Sequence, residues 1–203
     1  MSTNILIVDD HELTRSGLSL LLSQQDDIKI IGMLDNGGEV LCFVRSEPVD
    51  IVFLDLDLPD VNGLNLLAEL IGTLDQTVVV LTGKDDPKAF SFALKMGVRS
   101  IIGKADSSRE ILKALGHVQD GHIYCSPSIQ QKLDMSASAD INLSPRQAAI
   151  LHFLVNGEAN KEIAYKLGIA MPTVSFHLSE IRKKLGVTSN KKIISAAAEL
   201  GIL

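Results

Sequence analysis

Over the first 125 positions, apolar residues come in short, nearly continuous runs. Each run is followed by a stretch where they return every three or four positions. The runs are Asn4–Val8, Ile28–Leu34, Asp50–Leu56, Thr77–Leu81 and Ser100–Ile102. Runs of this kind fit strands buried on both faces, as in a parallel sheet. The intervening spacing predicts helices through Leu13, Gly17, Leu20 and Leu21, over Val40–Arg45, and through Leu64, Leu67, Ala68 and Ile71. A fourth follows Pro87 with Phe90, Ala93 and Leu94 inward, and a fifth starts at Ser107, whose spacing to Glu110 predicts a capping box. Five strands alternating with five helices predict an α/β fold, a doubly wound, five-stranded parallel sheet over residues 1–125.

The periodicity fades from Ser126. Ser126-Pro127 and Ser136-Ala137-Ser138-Ala139-Asp140 are small and polar, which predicts a linker over 126–141 holding a short helix near Ile129–Leu133. Residues 142–203 then read as a small all-α domain. Ser144 caps, Pro145 takes the first helical position and Gln147 completes a capping box, with Asn156-Gly157 as the stop. A helix over Asn160–Leu167, a tight turn at Gly168-Ile169-Ala170 and a longer helix from Pro172 to Leu185 follow. Val174, Leu178, Ile181 and Leu185 form the buried stripe of that longer helix. A last helix spans Lys191–Leu200.

Charge separates the two parts. Residues 1–140 carry 11 Lys+Arg against 21 Asp+Glu, net −10; residues 141–203 carry 8 against 4, net +4. An acidic front and a basic back predict different partners. No apolar run reaches the ~18 residues that would span a membrane, and the start lacks the pattern of a signal peptide. Cys42 and Cys125 stand alone, and the five His show no metal spacing, so a reducing, cytoplasmic setting is expected.

The chemistry sits where the strands end. Asp9 and Asp10 follow the first, Asp55 ends the third, Thr82 follows the fourth and Lys104 follows the fifth. Right-handed crossovers bring all these ends to one edge of the sheet, where open α/β sheets bind ligands. Clustered carboxylates repel one another, and oxygen ligands with room for water suit Mg²⁺. The metal would orient a phosphoryl group for attack by Asp55. Lys104 and the Thr82 hydroxyl can answer the charge of about −2 that an acyl phosphate brings. His11 reads as an exposed neighbour with no chemistry of its own.

Residues 4–120 resemble a response-regulator receiver domain, a flavodoxin-like fold. The resemblance is carried by V-D-D (8–10), L-D-L-D-L-P-D-V-N-G (54–63), L-T-G (81–83) and G-V-R-S-I-I-G-K (97–104). It implies phosphotransfer from a sensor histidine kinase to Asp55. It also implies Mg²⁺ held by Asp10, Asp55 and the backbone carbonyl of Asp57, with Asp9 supporting. Two positions depart from the family pattern. Ile101 stands where an aromatic residue is usual three positions before the Lys, and Ala105 follows Lys104 in place of the commoner Pro or Asp.

Helix, three-residue turn with Gly, and second helix form the geometry that lays a helix in the DNA major groove. The outward positions of the longer helix are Thr173, Ser175, Phe176, His177, Ser179, Arg182 and Lys183. Lys161, Arg182 and Lys183 are placed to anchor phosphates, Ser175 and Phe176 to meet base edges, with Phe176 against a thymine methyl. Residues 143–203 resemble the LuxR-type helix-turn-helix through L-S-P-R-Q (143–147), N-G-E-A-N-K-E-I-A (156–164), L-G-I-A-M-P-T-V-S-F-H-L (167–178) and I-R-K-K-L-G-V (181–187). Ala159 and Ala170 replace the usual capping Ser or Thr, at a cost of about 1 kcal/mol each if uncompensated. Gln147 replaces Glu, Ser175 a common base-reading Lys, and Asn190 an Arg.

Together the two resemblances point to the NarL/FixJ family. The expected function is a non-enzymatic, DNA-binding transcriptional regulator controlled by phosphorylation of Asp55. At rest the receiver would cover or misplace the DNA-binding module; phosphorylation would favour a homodimer on paired half-sites of double-stranded DNA. Two alternatives stand beside it. One is a DNA-binding regulator indifferent to phosphate, suggested by Ile101. The other is a Mg²⁺-dependent phosphatase using Asp55-Leu56-Asp57 as a D-x-D pair, against which Pro59 speaks.

Overall fold

The apolar runs become the strands of one parallel sheet because each is covered on both faces by helices. The computed structural model describes residues 2–74, 76–135 and 141–199. Strands β1 (Thr3–Val8), β2 (Ile28–Leu34), β3 (Ile51–Asp55), β4 (Thr77–Thr82) and β5 (Ser100–Gly103) alternate with helices α1 (Glu12–Ser23), α2 (Val40–Ser46), α3 (Gly63–Leu74), α4 (Pro87–Met96) and α5 (Ser108–Gln119). A short β6 (Tyr124–Cys125) and α6 (Pro127–Met135) follow. Then come α7 (Pro145–Val155), α8 (Asn160–Lys166), α9 (Met171–Leu185) and α10 (Asn190–Glu199). The strand order is β2-β1-β3-β4-β5-β6. Ile5, Ile7, Ile51 and Phe53 pack under α1 and α5, while Leu6, Val8, Val52 and Leu54 pack under α2, α3 and α4.

Two expectations change. The sheet has six strands, not five: β6 pairs parallel with β5, Ser100 opposite Tyr124 and Ile101 opposite Cys125. Two residues are too few to show alternation, so the sequence carries no sign of this strand. The capping box at Ser107 is absent. Its side chain makes no cap bond, and the other half of the box is lost because the Glu110 carboxylate accepts from Lys113 Nζ (2.7 Å) and the Tyr124 hydroxyl. The short helix expected within the linker is present as α6, extended to Pro127–Met135, with Ile129 fully buried. The run at 136–140 lies outside the described residues.

The C-terminal helices follow their capping signals. Ser144 accepts from Gln147 N (3.3 Å) and Gln147 Oε1 accepts from Ser144 N (3.1 Å). At Ala159 half of a box survives: Glu162 accepts from Ala159 N at 2.8 Å, which recovers part of what the missing cap costs.

The two units are docked. Helix α7 lies against α3 and α4, and the apolar cluster beneath α3 and α4 continues into the C-terminal helices. Thr73 Oγ1 donates to the Lys166 carbonyl (2.8 Å), and Asn65 Oδ1 stands 2.7 Å from His152 Nε2 and accepts from Asn156 Nδ2 (3.1 Å). The His152 ring is 5.6 Å from that of Phe92. At Gly72 the units approach so closely that a Cβ would lie 2.8 Å from Leu167 Cδ2.

His152 makes this docking sensitive to acid. Burial, reinforced by the charge of Lys166, pushes its pKa down from the ordinary 6.5 to about 4. The docked form therefore holds the neutral ring, whereas an exposed ring charges near 6.5. Docking is at full strength above pH 6.5 and weakens as pH falls toward 4, by roughly 1 kcal/mol at pH 5.5. Proteolytic nicking between the units should accelerate from pH 7.5 to 5.5 in the natural protein. In His152→Gln that acceleration should vanish; its persistence would place the acid response elsewhere.

Candidate phosphoacceptor site and DNA-binding face

Asp55 is the last residue of β3 and 1% exposed. The parallel register sets it opposite Leu81, one residue before Thr82, and sets Thr82 opposite Gly103, one residue before Lys104. The five residues anticipated at the strand ends thus lie along one edge. Lys104 Nζ reaches both Asp55 Oδ2 (2.7 Å) and Asp9 Oδ2 (2.8 Å). Asp9, Asp10, His11 and Asp55 each offer a ligand atom within 4.8 Å of the others.

Backbone turns hold these groups in place. Asp9 Oδ1 accepts from His11 N (2.8 Å), and Asp55 Oδ1 accepts from Asp57 N (2.9 Å), so each carboxylate braces the loop after its own strand. Thr82 Oγ1 accepts from Lys84 N (3.1 Å), and beside it a Cβ on Gly83 would meet only Lys104 Cδ, at 3.9 Å. Gly63 is needed at the start of α3, where a Cβ would collide with the Leu56 carbonyl oxygen; α3 can press against the turn that carries Asp57 only without a side chain there.

Burial raises the Asp55 pKa; the hydrogen bond from Lys104 opposes this without overcoming it. A raised proton affinity makes the carboxylate a better nucleophile. For Lys104, burial favours the neutral amine, but the hydrogen bonds to Asp55 and Asp9 outweigh it and raise the pKa, so the ammonium is kept. Lys104 is the cation that pairs directly with both Asp9 and Asp55. The donor set fits a hard divalent ion: three carboxylates at one edge, with one ammonium to balance two of them. Lys104→Met should cost about 3 kcal/mol of stability in urea unfolding without divalent ions, since it strands two buried carboxylates. Saturating Mg²⁺ should recover part of the loss; equal stability of the two proteins in EDTA would show that Lys104 does not carry the balance.

Lys84 was not singled out in the sequence. It forms an ion pair with Asp57 across the mouth of the site, beside a crevice of about 320 Å³ lined by Leu56, Asp57, Thr82, Lys84 and Asp86. Ile101 is fully buried, and its carbonyl accepts from Ser126 N (3.1 Å). Where the family's aromatic residue would reside, β6 and the start of α6 close the surface. Lys132 on α6 pairs with Asp85 in the loop after Thr82 (3.2 Å), and Ser128 donates to Asp106, just past Lys104.

In the C-terminal unit the receiver leaves α9 uncovered. Phe176 is 62% exposed, Ser175 and Lys183 are exposed, and Lys161 is exposed on α8. Direct masking of this helix is therefore not how the docked form would act. Thr173, His177, Ser179 and Arg182 are half-buried. His177 keeps part of its ring exposed while its Nδ1 is turned away from solvent. The basic run is also less free than its charges suggest. Arg182 donates to Asn190 (2.7 Å), Lys183 pairs with Glu180 (2.6 Å) and Lys184 donates to Gln147 (2.8 Å).

A buried strand-end carboxylate, acidic cluster, lysine and hydroxyl on a doubly wound sheet, joined to an exposed helix-turn-helix, define a response-regulator transcription factor. Residues 5–116 match the response regulator receiver domain family and residues 141–197 the bacterial regulatory proteins of the luxR family. The chain belongs to the NarL/FixJ family of response regulators, which are not enzymes. It is 31% identical over 189 residues to the transcriptional regulatory protein UhpA of Salmonella typhimurium, covering 93% of this chain and 94% of that one. It is 32% identical over 194 residues to the nitrate/nitrite response regulator NarL of Escherichia coli, covering 91% and 90%. Its fold is similar to that of the Salmonella typhimurium response regulator RcsB, with a TM-score of 0.65, 23% identity and coverage of 98% and 99%. Among the described residues no helix is long and apolar enough to cross a membrane.

Proposed function

We propose that this chain is a cytoplasmic regulator switched by phosphorylation of Asp55 and acting on DNA as a homodimer. In this reading residues 1–125 are the receiver, 126–141 the linker and 142–203 the DNA-binding unit. The carrying observation is Asp55 itself, a buried strand-end carboxylate with Lys104 2.7 Å away and Asp9 and Asp10 beside it. An Asp55 oxygen attacks the phosphorus of a sensor kinase's phosphohistidine; the P–N bond breaks and the imidazole leaves, taking a proton. Asp10, Asp55 and the Asp57 backbone carbonyl, with Asp9 in support, hold Mg²⁺, which neutralises charge on the incoming group when bound. Lys104 and Thr82 then turn to the new phosphoryl oxygens.

Lys104 cannot serve the phosphoryl group and both carboxylates at once. Its release from Asp9, together with the shift of Thr82, reaches α6 through Lys132–Asp85 and Ser128–Asp106, in place of the missing aromatic residue. Docking of α7 on α3 and α4 holds the exposed α9 in an arrangement unsuited to paired half-sites. Undocking and dimerisation together must supply ~5.5 kcal/mol to move the population from 1:99 to 99:1. The relatives support this reading: RcsB has been seen as dimers on DNA and bound to a promoter with a phosphate mimic. DNase footprints with and without acetyl phosphate test it; identical footprints would instead favour a regulator that ignores phosphate, the reading suggested by Ile101.

On DNA, Lys161, Arg182 and Lys183 meet phosphates, while Thr173, Ser175, Phe176, His177 and Ser179 face the groove. Lys183→Ala should weaken all sequences alike and reduce the slope of log affinity against log salt by about 1. Phe176→Ala should change the preferred sequence by about 1–3 kcal/mol at one base step. A Lys183→Ala protein with altered preference and an unchanged salt slope would reverse these assignments.

A further inference from the structure

The residue after the acidic pair is not a bystander. His11 is the N-cap of α1, and its backbone N–H is held by Asp9 Oδ1 at 2.8 Å, which fixes where the ring stands. Its Nδ1 lies 2.7 Å from Asp10 Oδ1, 3.3 Å from Asp9 Oδ1 and 3.4 Å from Lys104 Nζ. Asp10 Oδ1 is a buried atom that receives no hydrogen bond, although the ring nitrogen is so near. A cation seated between Nδ1 and Asp10 Oδ1 would be shared by both, and Asp9 and Asp55 each bring a carboxylate oxygen within 4.8 Å of them. The side chain is 63% exposed, so Nε2 can be solvated while Nδ1 faces the cluster, where a metal would take the place of the 3.4 Å contact from Lys104 Nζ.

We propose that His11 is a nitrogen ligand of the divalent ion held by Asp10 and Asp55, and that it biases this site toward first-row transition ions. The inference rests on the divalent-ion reading given above. Mg²⁺ selects oxygen donors and gives up water reluctantly, whereas imidazole suits Mn²⁺, Co²⁺ and their neighbours. An oxygen-only site already binds Co²⁺ more tightly than Mg²⁺; an added imidazole widens that gap. A histidine acting merely as a hydrogen-bond donor to Asp10 has a different consequence: its loss would change both affinities by a similar factor and leave their ratio alone.

The test is calorimetric titration of the tag-free full chain with MgCl₂ and with CoCl₂, in the natural protein, His11→Ala and Asp10→Asn. His117 and His122, whose rings lie 6.4 Å apart elsewhere, are a second place for Co²⁺, so all three proteins carry His117→Ala. The expected result is a fall of at least about tenfold in the Co²⁺/Mg²⁺ affinity ratio in His11→Ala, with Mg²⁺ affinity changed by less than about threefold. Pulsed electron paramagnetic resonance of the Mn²⁺ form should show imidazole nitrogen coupling that disappears in His11→Ala. An unchanged ratio with Mg²⁺ binding intact, or nitrogen coupling that survives the substitution, overturns the assignment. Failure of the natural protein to bind Mg²⁺, or undiminished binding by Asp10→Asn, removes the divalent-ion reading itself, a distinguishable outcome that also removes the inference.

Discussion

Replacing Asp55 by Asn is expected to abolish incorporation of label from a radioactive phosphodonor and to erase any phosphodonor-driven gain in DNA affinity. Neither Asp9 nor Asp57 can substitute without moving. Asp9 is engaged by Lys104 and by the His11 backbone, and Asp57 is tied to Lys84. The substitution should leave the fold intact. Burial raises the Asp55 pKa, so the ionised group costs free energy in the native chain and repels Asp9. The amide removes that repulsion and leaves Lys104 paired with Asp9. Thermal stability should stay level or rise by about 1 kcal/mol, opposite in sign to Lys104→Met. Mass spectrometry of acid-stabilised samples gives the readout. A phosphoryl group still present on the Asp55→Asn protein at full stoichiometry would end the assignment of Asp55 as acceptor.

Gly72→Leu should separate the two units without unfolding either. Gly72 sits within α3, so a leucine there favours the helix by about 1 kcal/mol. Toward the other unit the new side chain has no room: its Cβ alone would lie 2.8 Å from Leu167 Cδ2, and Ala149 Cβ is 3.9 Å away. Leu167 is 1% exposed in the docked chain and close-packed, so it cannot withdraw cheaply. The expected outcome is a larger radius of gyration in X-ray scattering, faster nicking between the units, and loss of the acid response attributed to His152. If docking restrains DNA binding, affinity without phosphodonor should rise by roughly tenfold, the equivalent of about 1.4 kcal/mol of docking energy. Separated units with unchanged DNA affinity would show that docking does not regulate.

The acidic edge was readable from the chain because parallel topology makes position along the sequence equivalent to position in space. A residue that ends a strand in a doubly wound sheet must lie on one rim, so Asp9, Asp10, Asp55, Thr82 and Lys104 could be gathered before any distance was known. The helix-turn-helix was equally open, since caps such as Ser144–Gln147 and the stripe Val174, Leu178, Ile181 are local signals repeated at fixed spacing.

Other features depend on contacts between segments that carry no mutual signal. Strand β6 exists only because β5 has an unpaired edge for Tyr124 and Cys125 to join, and Tyr124 then draws Glu110 away from capping α5. Nothing in Asn65, Gly72 or His152 taken singly marks an interface; they matter because α7 settles on α3 and α4. His11 looked idle until its ring nitrogen was placed beside Asp10. Hydrophobic period and strand order are properties of short segments and their sequence, and the chain determined them unaided. Which polar groups face each other across a docked surface depends on a few tenths of an ångström of packing, and only the tertiary structure decided that.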